Sequence, residues 1–263
     1  MPHVAVITGA SSGIGAATTR VFAARGWDLV LVARRRDRLE ELADEVGGAT
    51  VVDVDLTGPG APRAVFEAVR DNHSSRLDVL VNNAGARFPG TFAQTGAAGI
   101  RQHMAVNLDA VVALTEQLLP LLRSTPGSSI VNVASVSSFI SRAGAVGYST
   151  AKAALRGFSD GLAIEEEANG VHVGLVVPGF IVTEGFPQTE LVENSKTSWA
   201  VSTPEAAAEA IWEAGPGGES QVHVPRPWAI ATAARSVVPA VVPAVVRMLG
   251  ATTTPEAGSV EQR

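Results

Sequence analysis

Tyr148 and Lys152 stand four residues apart, so on a helix their side chains project from one face, one turn apart. A free phenol titrates near pH ~10 and is a poor proton donor or acceptor at neutrality. Bringing its pKa to about 7 requires roughly 4 kcal/mol of preference for the phenolate. A lysine ammonium ~4 Å away offers roughly 4 kcal/mol at an effective dielectric of ~20. The pair can therefore act as a general acid/base, although an ordinary helix face carries the same spacing.

The bulk composition describes a folded, acidic chain. Of the 263 residues, 46% are hydrophobic and 17% are charged, which favours a sizeable buried core over disorder. The net charge of -6 argues against non-specific nucleic-acid binding. The absence of cysteine excludes disulfides, thiolate metal sites and a cysteine nucleophile, which fits the cytoplasm as the expected location. The start of the chain lacks the pattern of a signal peptide, so export is not expected.

The first predicted strand, Val4 to Thr8, leads into a glycine-rich turn. Its nearly continuous apolar run is typical of a central parallel strand. Gly9, Gly13 and Gly15 follow, before a helical stretch over 16–25. Glycines permit a tight turn, and a helix N-terminus offers unpaired N–H groups to an anion. The turn is predicted to cradle a pyrophosphate, although its G-x-x-x-G-x-G spacing differs from G-x-G-x-x-G and a ligand-free turn stays open.

The second predicted strand, 28–33, runs directly into Arg34, Arg35 and Arg36. In a dinucleotide-binding fold, an acidic residue near this point would hydrogen-bond the adenosine ribose. Cations at the N-terminus of the next helix oppose its macrodipole by some ~0.3–1 kcal/mol each, and an anionic ligand reverses that penalty. The arginines therefore favour NADP(H); NAD(H) and a merely solvated helix start remain alternatives.

Strands and helices alternate along the rest of the chain. Further strands are predicted at 49–54, 77–81, 129–134, 171–177 and 221–224, and helices at 37–46, 61–72, 99–122, from the Tyr148 region to 168, and at 204–214. This alternation predicts an α/β protein with a single doubly wound parallel sheet and helices on both faces. The predicted domain spans 1–227.

A strongly apolar extension over 228–250 follows the domain, and the polar stretch 251–263 is predicted to be disordered. Pro239 and Pro243 interrupt the apolar stretch. A membrane-spanning helix needs ~20 mainly apolar residues, so the interrupted length argues against a span. Two short helices packed on the substrate entrance or on a partner subunit are expected, with peripheral membrane contact as the minority alternative.

Several motifs now stand in a fixed order. They are Thr8-Gly9-x3-Gly13-x-Gly15, Asn82-Asn83-Ala84-Gly85, Asn107, Ser135, Tyr148-x3-Lys152 and Pro178-Gly179-x3-Thr183. With these motifs the chain resembles the short-chain dehydrogenase/reductase family, in its shorter soluble branch, from residue 4 to about 225. The resemblance implies a Rossmann-like fold and an NADP(H)-dependent oxidoreductase, which interconverts a carbonyl and a secondary alcohol as a carbonyl reductase.

The resemblance also assigns roles to four catalytic residues. It implies that Tyr148 gives its proton to the substrate carbonyl, while Ser135 hydrogen-bonds the carbonyl oxygen. Lys152 would lower the pKa of Tyr148 and hydrogen-bond the nicotinamide ribose. Asn107 would anchor a water that links Lys152 to solvent. The cofactor would supply the redox chemistry and the protein the orientation and electrostatics.

The remaining assignments concern cofactor and substrate. By resemblance, Gly9, Ser11, Ser12, Gly13, Ile14 and Gly15 cradle the pyrophosphate, and Arg34 and Arg35 take the 2′-phosphate. The adenine is bordered by Asp55 and Leu56. The residues beneath the cofactor are Asn82, Ala84 and Gly85, and those adjoining it are Tyr148, Lys152, Pro178 and Gly179. The carboxamide is held by Ile181 and Thr183. The resemblance also implies a substrate lid near 184–201. Within it, Phe186, Leu191 and Trp199 either line an apolar substrate pocket or are ordinary packing.

Two rival functions stay open at this stage. A catalytically silent nucleotide-binding regulator needs no intact Asn107, Ser135, Tyr148 and Lys152, and an epimerase or dehydratase is disfavoured by the single short domain. None of the five histidines sits in a motif, so each is interpreted as a surface or core residue, and no metal site is expected. The resemblance implies a homodimer or homotetramer formed through the helices carrying Asn107 and Tyr148.

Overall fold

The computed structural model describes residues 2–183 and 198–239, apart from the side chain of Ser236. The strands are β1 (Val4–Thr8), β2 (Asp28–Ala33), β3 (Thr50–Asp53), β4 (Val79–Asn82), β5 (Ser129–Val133), β6 (His172–Pro178), β7 (Phe180–Ile181), β8 (Val201–Ser202) and β9 (Gln221–Val224). The α-helices are α1 (Gly13–Ala23), α2 (Arg36–Glu45), α3 (Ala61–Asn72), α4 (Phe92–Met104), α5 (Ala110–Ser124), α6 (Val146–Glu167), α7 (Pro204–Ala214) and α8 (Trp228–Val237).

The main sheet confirms the predicted fold class. Its strands run in the order β3-β2-β1-β4-β5-β6-β9, and every neighbouring pair is parallel. The strand order reverses between β1 and β4, the kind of switch point at which open α/β sheets bind ligands. The short strands β7 and β8 pair with each other beside the main sheet.

Helices cover both faces of the sheet, which explains the continuous apolar run of β1. Ala5 and Ile7 point into one core cluster, together with buried side chains of α1, α2 and α7. Val4 and Val6 point into the opposite cluster, together with buried side chains of α3, α5 and α6. A strand buried on both faces needs apolar residues at every position, as its sequence predicted.

The long helix predicted at 99–122 begins earlier and is interrupted. It starts at α4, where Thr91 and Gln94 form a capping box that the sequence analysis overlooked. Gly96 departs from helical geometry inside α4. A π-helical turn, Ala105–Asp109, then joins α4 to α5 and carries Asn107. A π-turn inside an α-helix frequently marks a functional site.

The stretch Phe92–Ser124 is also long and apolar enough, by length and composition, to count as a candidate membrane span, and no other helix in the described ranges qualifies. Its α5 portion belongs to the folded core. Leu114, Leu118 and Leu122 of this helix are almost fully buried in the cluster shared with α3 and α6.

A buried polar network fixes α6 to the sheet. The Asn82 amide donates to Thr115 Oγ1 at 3.2 Å and to Asn132 Oδ1 at 2.9 Å. The Asn132 amide in turn donates to Ser159 Oγ on α6 at 2.9 Å. Buried polar groups stabilise a fold only when they are paired, so this chain specifies how β4, β5, α5 and α6 meet. It thereby positions the helix that carries Tyr148.

The described part of the apolar extension is one helix, α8, packed against the end of β6. Trp228 is buried and its indole N–H donates to the Ala200 carbonyl at 3.1 Å. A Cβ on Gly179 would overlap the Trp228 indole, so this contact requires a glycine. The predicted second short helix, the tail 251–263 and lid residues 184–197 lie outside the described residues.

The packing of β6 against α7 leads to a stability prediction. A Cβ on Gly174 would overlap the Ala214 carbonyl oxygen, a backbone atom that can retreat only if α7 moves. We expect Gly174→Ala to lower the free energy of unfolding by about 1–3 kcal/mol, measured by urea denaturation. Gly60→Ala is the control: Gly60 precedes α3 with open space around it, so a change within ~0.5 kcal/mol is expected. Equal effects of the two substitutions would contradict the packing argument.

Candidate active site

Helix α6 brings Tyr148 and Lys152 to the carboxyl end of β5. The Lys152 ammonium lies 6.0 Å from the centre of the Tyr148 ring. It is buried and donates a hydrogen bond to the Val133 carbonyl, the last residue of β5, at 2.7 Å. Two residues further on, Ser135 begins a short 3₁₀ turn. The structure thus gathers the predicted serine, tyrosine and lysine at one strand end.

Ser135 is oriented toward Tyr148 by its own backbone neighbourhood. Its Oγ accepts a hydrogen bond from the Ser137 N–H at 3.1 Å, which leaves the hydroxyl proton to donate elsewhere. The hydrogen bond between Ser135 and the Tyr148 hydroxyl lowers the pKa of the phenol. Burial acts in the other direction and is the larger effect, so the pKa of Tyr148 lies above its ordinary value.

The net shift of the Tyr148 pKa is therefore opposite to the lowering expected from Lys152, because burial outweighs the effects that favour the phenolate. The sequence argument assumed a separation of ~4 Å and left out the cost of burial. The ammonium is instead held by Val133, and burial lowers the pKa of Lys152 itself to about 8. At neutral pH Tyr148 is consequently a protonated donor beside a lysine that is close to losing its charge.

Asn107 is both locally satisfied and adjacent to Lys152. Its amide nitrogen donates to the carbonyls of Ala86 and His103, each at 2.9 Å, and its Oδ1 accepts from the Ala86 N–H at 3.2 Å. A Cβ on Gly85 would lie 2.8 Å from Asn107 Oδ1 and 3.4 Å from Lys152 Nζ. The glycine thus lets the backbone pass between the amide and the ammonium.

The glycine-rich turn after β1 packs against the loop that follows β4. A Cβ on Gly9 would lie 2.9 Å from Asn83 Nδ2, and a Cβ on Gly15 would overlap the Gly9 carbonyl oxygen. Gly13 faces Thr183, whose methyl group would lie 3.2 Å from an added Cβ. The turn therefore has the close backbone approach that its sequence predicted, and Thr183 is brought to it.

The start of α1 is suited to an anion. Ser12 is the N-cap residue, and no described side chain caps the helix. The first N–H groups of α1 are then left for a ligand, and the helix dipole favours negative charge there. A glycine cradle with an uncapped helix N-terminus fits the pyrophosphate of a dinucleotide.

The arginines after β2 take separate positions. Arg35 reaches the cradle, donating to Ser12 Oγ at 2.8 Å and to Ser11 Oγ at 3.0 Å. Arg34 instead lies 3.8 Å from the carboxylate of Asp55, on the side predicted for the adenine. Thr57 holds the pKa of Asp55 below its ordinary value through backbone and side-chain hydrogen bonds. Arg35 thus places a positive charge at the phosphate cradle, whereas the charge of Arg34 faces the Asp55 carboxylate.

Several predicted cofactor residues have structural roles in this fold. The Asn82 side chain is buried in the network with Thr115 and Asn132, so the structure does not bring it to the cleft as expected. Ile14 and Leu56 pack against the core clusters. The Ala84 N–H donates to Thr8 Oγ1 at 3.0 Å.

The motif after β6 lies against the sheet edge and the C-terminal helix. Pro178 pairs with Val224 of β9, the Gly179 N–H donates to the Val224 carbonyl at 2.7 Å, and Ile181 is buried. Trp199 packs on Trp228, with ring centres 5.2 Å apart. Phe186 and Leu191 lie outside the described residues.

Sequence reasoning gave no functional role to His103 and Arg87, which lie near Tyr148, or to Arg142, which lies near Arg87. The His103 ring meets Tyr148 edge-on at 6.3 Å, accepts from the Phe88 N–H at 3.1 Å and contacts the Gly99 carbonyl at 2.7 Å. Arg87 is close enough for its charge to lower the pKa of Tyr148, and it also lowers the pKa of Arg142. Their only sequence signal is their position beside the motifs.

A parallel sheet with a glycine-rich cradle at its switch point defines a dinucleotide-binding class of α/β protein. Comparison with known proteins is more specific: the family model described as short chain dehydrogenase matches residues 3–193. The chain belongs to the short-chain dehydrogenase/reductase family. It is therefore an oxidoreductase of a family that uses nicotinamide cofactors and acts on CH–OH groups.

Similar proteins agree with this family. The oxidoreductase UcpA of Salmonella typhimurium is 34% identical over 184 residues, covering 68% of this chain and 69% of that protein. A short-chain dehydrogenase structure from Streptomyces avermitilis has a TM-score of 0.78 at 27% identity, covering 95% of this chain and 98% of that chain. L-Sorbose reductase from Gluconobacter frateurii, solved with NADPH and L-sorbose, has a TM-score of 0.74 at 30% identity, covering 84% and 94% respectively.

The pKa shifts lead to a prediction for the pH dependence of the oxidoreductase reaction. Because the pKa of Tyr148 is raised, the phenol stays protonated through alkaline pH, whereas Lys152 loses its charge near a pKa of about 8. We expect the rate to be maintained below that pKa and to fall above it. Stopped-time assays of cofactor absorbance between pH 6 and 11 measure the midpoint. A midpoint at ~10, the ordinary pKa of a lysine side chain, would contradict the assignment of the fall in rate to Lys152.

Proposed function

We propose that the protein is an NADP(H)-dependent oxidoreductase that interconverts a carbonyl and a secondary alcohol and works as a carbonyl reductase. The observation that carries this proposal is the convergence of Ser135, Tyr148 and Lys152 at the end of β5, with Asn107 beside the lysine. A protein that only binds nucleotides has no need of an aligned proton donor. The catalytically silent alternative is tested below through Tyr148.

A bound nicotinamide dinucleotide supplies the hydride in reduction and accepts it in oxidation. Tyr148 donates its phenolic proton to the substrate oxygen as the carbonyl carbon becomes tetrahedral. Its raised pKa keeps that proton in place until the developing alkoxide accepts it. Ser135 hydrogen-bonds the same oxygen and holds it within reach of the phenol.

The phenolate left on Tyr148 needs stabilisation and a new proton. The Ser135 hydrogen bond and the nearby charge of Arg87 both favour the phenolate. Lys152 adds a positive charge below its pKa of about 8. Asn107 Oδ1 and Lys152 Nζ face the same glycine, an arrangement suited to a water that returns the proton from solvent. In this proposal Lys152 also hydrogen-bonds the nicotinamide ribose.

The preference for NADP(H) rests on Arg35. Its guanidinium lies among the Ser11 and Ser12 hydroxyls at the cradle, where a 2′-phosphate accepts charge-assisted hydrogen bonds. Arg36, by contrast, is neutralised by Glu40 at 2.7 Å and Asp53 at 3.6 Å. The NADPH complex of L-sorbose reductase, a similar structure, supports the same choice.

We further propose one catalytic domain over 1–227, with a lid near 184–201 and a helical extension over 228–250 that contributes to the substrate wall. A homodimer or homotetramer in the cytoplasm completes the proposal. Val112 of α5 and Ile164 of α6 are exposed apolar residues on the helices expected to form the subunit interface. Burying them against a second copy would remove apolar surface from water.

Tyr148→Phe tests the mechanism. The substitution removes the donated proton but keeps the ring, so we expect turnover to fall about 10²–10⁴-fold while NADPH still binds. Activity is measured with a carbonyl panel and NADPH absorbance, and binding by cofactor fluorescence. Thr150→Ala is the matched control, because Thr150 is an exposed residue of the same helix and its hydroxyl donates to the Val146 carbonyl one turn earlier. Near-normal activity of the phenylalanine variant would exclude Tyr148 as the proton donor.

Arg35→Ala tests the cofactor choice. We expect the dissociation constant for NADPH to rise about tenfold or more while that for NADH changes little, because only NADPH presents a phosphate to the guanidinium. Arg36→Ala serves as the control of equal charge, since Arg36 already has two carboxylate partners. Fluorescence titration of both cofactors gives the four constants. Equal weakening of NADPH and NADH by Arg35→Ala would remove the 2′-phosphate argument.

A further inference from the structure

Two arginines lie on the loops that follow β4 and β5, at the carboxyl edge of the main sheet. Arg87, on the loop after β4, donates to the Gly144 carbonyl of the next loop at 3.4 Å. Arg142, on that next loop, lies over the ring of Phe180 after β6, 5.8 Å from its centre. Loops at the carboxyl ends of parallel strands line the ligand crevice, so both guanidinium groups lie at its rim.

Neither guanidinium has a carboxylate partner among the described residues. Other arginines of this chain do, as Arg20 with Glu45, Arg76 with Asp78 and Arg123 with Glu166 show. The Nε atom of Arg87 is moreover buried without a hydrogen-bond partner there. A half-buried cation that lacks a partner is costly, and a buried donor with no acceptor adds to that cost.

The charge of Arg87 acts both on Arg142 and on Tyr148. Burial is the main cause that lowers the pKa of Arg142, and the charge of Arg87 lowers it further. Burial lowers the pKa of Arg87 as well, while Tyr148 opposes that shift. Two neighbouring cations without a carboxylate partner in the described ranges repel each other, and a bound anion would offset that repulsion.

Resting on the proposed function, we infer that the substrate is an oxo acid or the corresponding hydroxy acid, whose carboxylate binds between Arg87 and Arg142 while its carbonyl meets Ser135 and Tyr148. Guanidinium groups bind carboxylates through paired, charge-assisted hydrogen bonds. Arg87 lies near enough to Tyr148 to act on its charge, so the carboxylate and the reacting carbonyl belong to one small molecule.

The aromatic residues beside Arg142 form a cluster next to the proposed carboxylate site. Phe180 lies 6.2 Å from Trp228, and Trp228 lies 5.2 Å from Trp199, measured between ring centres. Trp228 is buried, so the apolar surface of this cluster comes from Phe180 and Trp199. An oxo acid with an apolar body, such as benzoylformate, matches both features, whereas a neutral sugar or diol matches neither.

Binding is tested first, under conditions in which no reduction takes place. The full-length protein is saturated with NADP⁺ and titrated calorimetrically with pyruvate, levulinate and benzoylformate, each against its methyl ester. We expect at least one acid to bind about tenfold or more tightly than its ester. This difference in affinity between acid and ester should disappear in Arg87→Met and in Arg142→Leu. The two substitutions lie on separate loops, so a folding defect in one variant leaves the other informative.

Arg101→Met is the matched control, because it removes one exposed positive charge from α4 and should leave the difference in affinity between acid and ester unchanged. The inference would be overturned if no acid binds more tightly than its ester, or if the difference is unchanged in both Arg87→Met and Arg142→Leu. Turnover with NADPH then separates the two proposals. If an acid binds tightly through the arginines but neither the acids nor their esters are reduced, the carbonyl reductase proposal is contradicted and the carboxylate site is retained. If esters are reduced as readily as acids, the carboxylate site is contradicted and the carbonyl reductase is retained.

Discussion

The Thr8 side chain joins the two halves of the sheet at the point where the strand order reverses. Its hydroxyl donates to the Val81 carbonyl and accepts from the Asn83 and Ala84 N–H groups, each at 3.0 Å. One donor and two acceptor positions use the full capacity of a hydroxyl, and Thr8 is only 1% exposed. Because these bonds hold the turn after β1 against the loop after β4, the glycine cradle and the residues near Lys152 keep one fixed relation.

Burial, more than ion pairing, sets the proton chemistry of the site. Tyr148 and Lys152 both shift toward their neutral forms, the phenol by a raised pKa and the ammonium by a lowered one. Desolvation disfavours any charged form, so it moves an acid and a base in opposite directions. Burial therefore keeps Tyr148 protonated as a neutral donor and brings the pKa of Lys152 close to neutral pH. The hydrogen bond to the Val133 carbonyl fixes the position of the Lys152 amine.

Much of the fold was readable from the chain because parallel strands and their helices leave periodic patterns. The apolar run of β1 and the glycine spacing predicted the switch-point cradle, and the Tyr148–Lys152 spacing predicted a shared helix face. Partner choice was not readable. Nothing local distinguishes Arg35 from Arg34, or shows that the Asn82 amide turns toward Asn132.

The cleft-rim arginines were hidden for a related reason. Arg87 and Arg142 are far apart in sequence and belong to loops without periodicity, so only the folded sheet edge brings their charges within reach of each other and brings Arg87 near Tyr148. The pKa of Tyr148 was misjudged because burial depends on every element around the ring. Side-chain environment is a property of the tertiary structure, whereas strand and helix patterns are local.

The seat of Trp228 over Gly179 has a consequence for how this enzyme scaffold diversifies. A glycine in the loop after β6 accepts an indole from the last described helix, so the packing at this end of the sheet depends on a residue from outside the alternating strand–helix core. Catalytic geometry and this packing are then encoded in separate stretches of the gene. Changing the carboxyl-terminal segment would alter the surroundings of the loop after β6 and leave Ser135, Tyr148 and Lys152 in place.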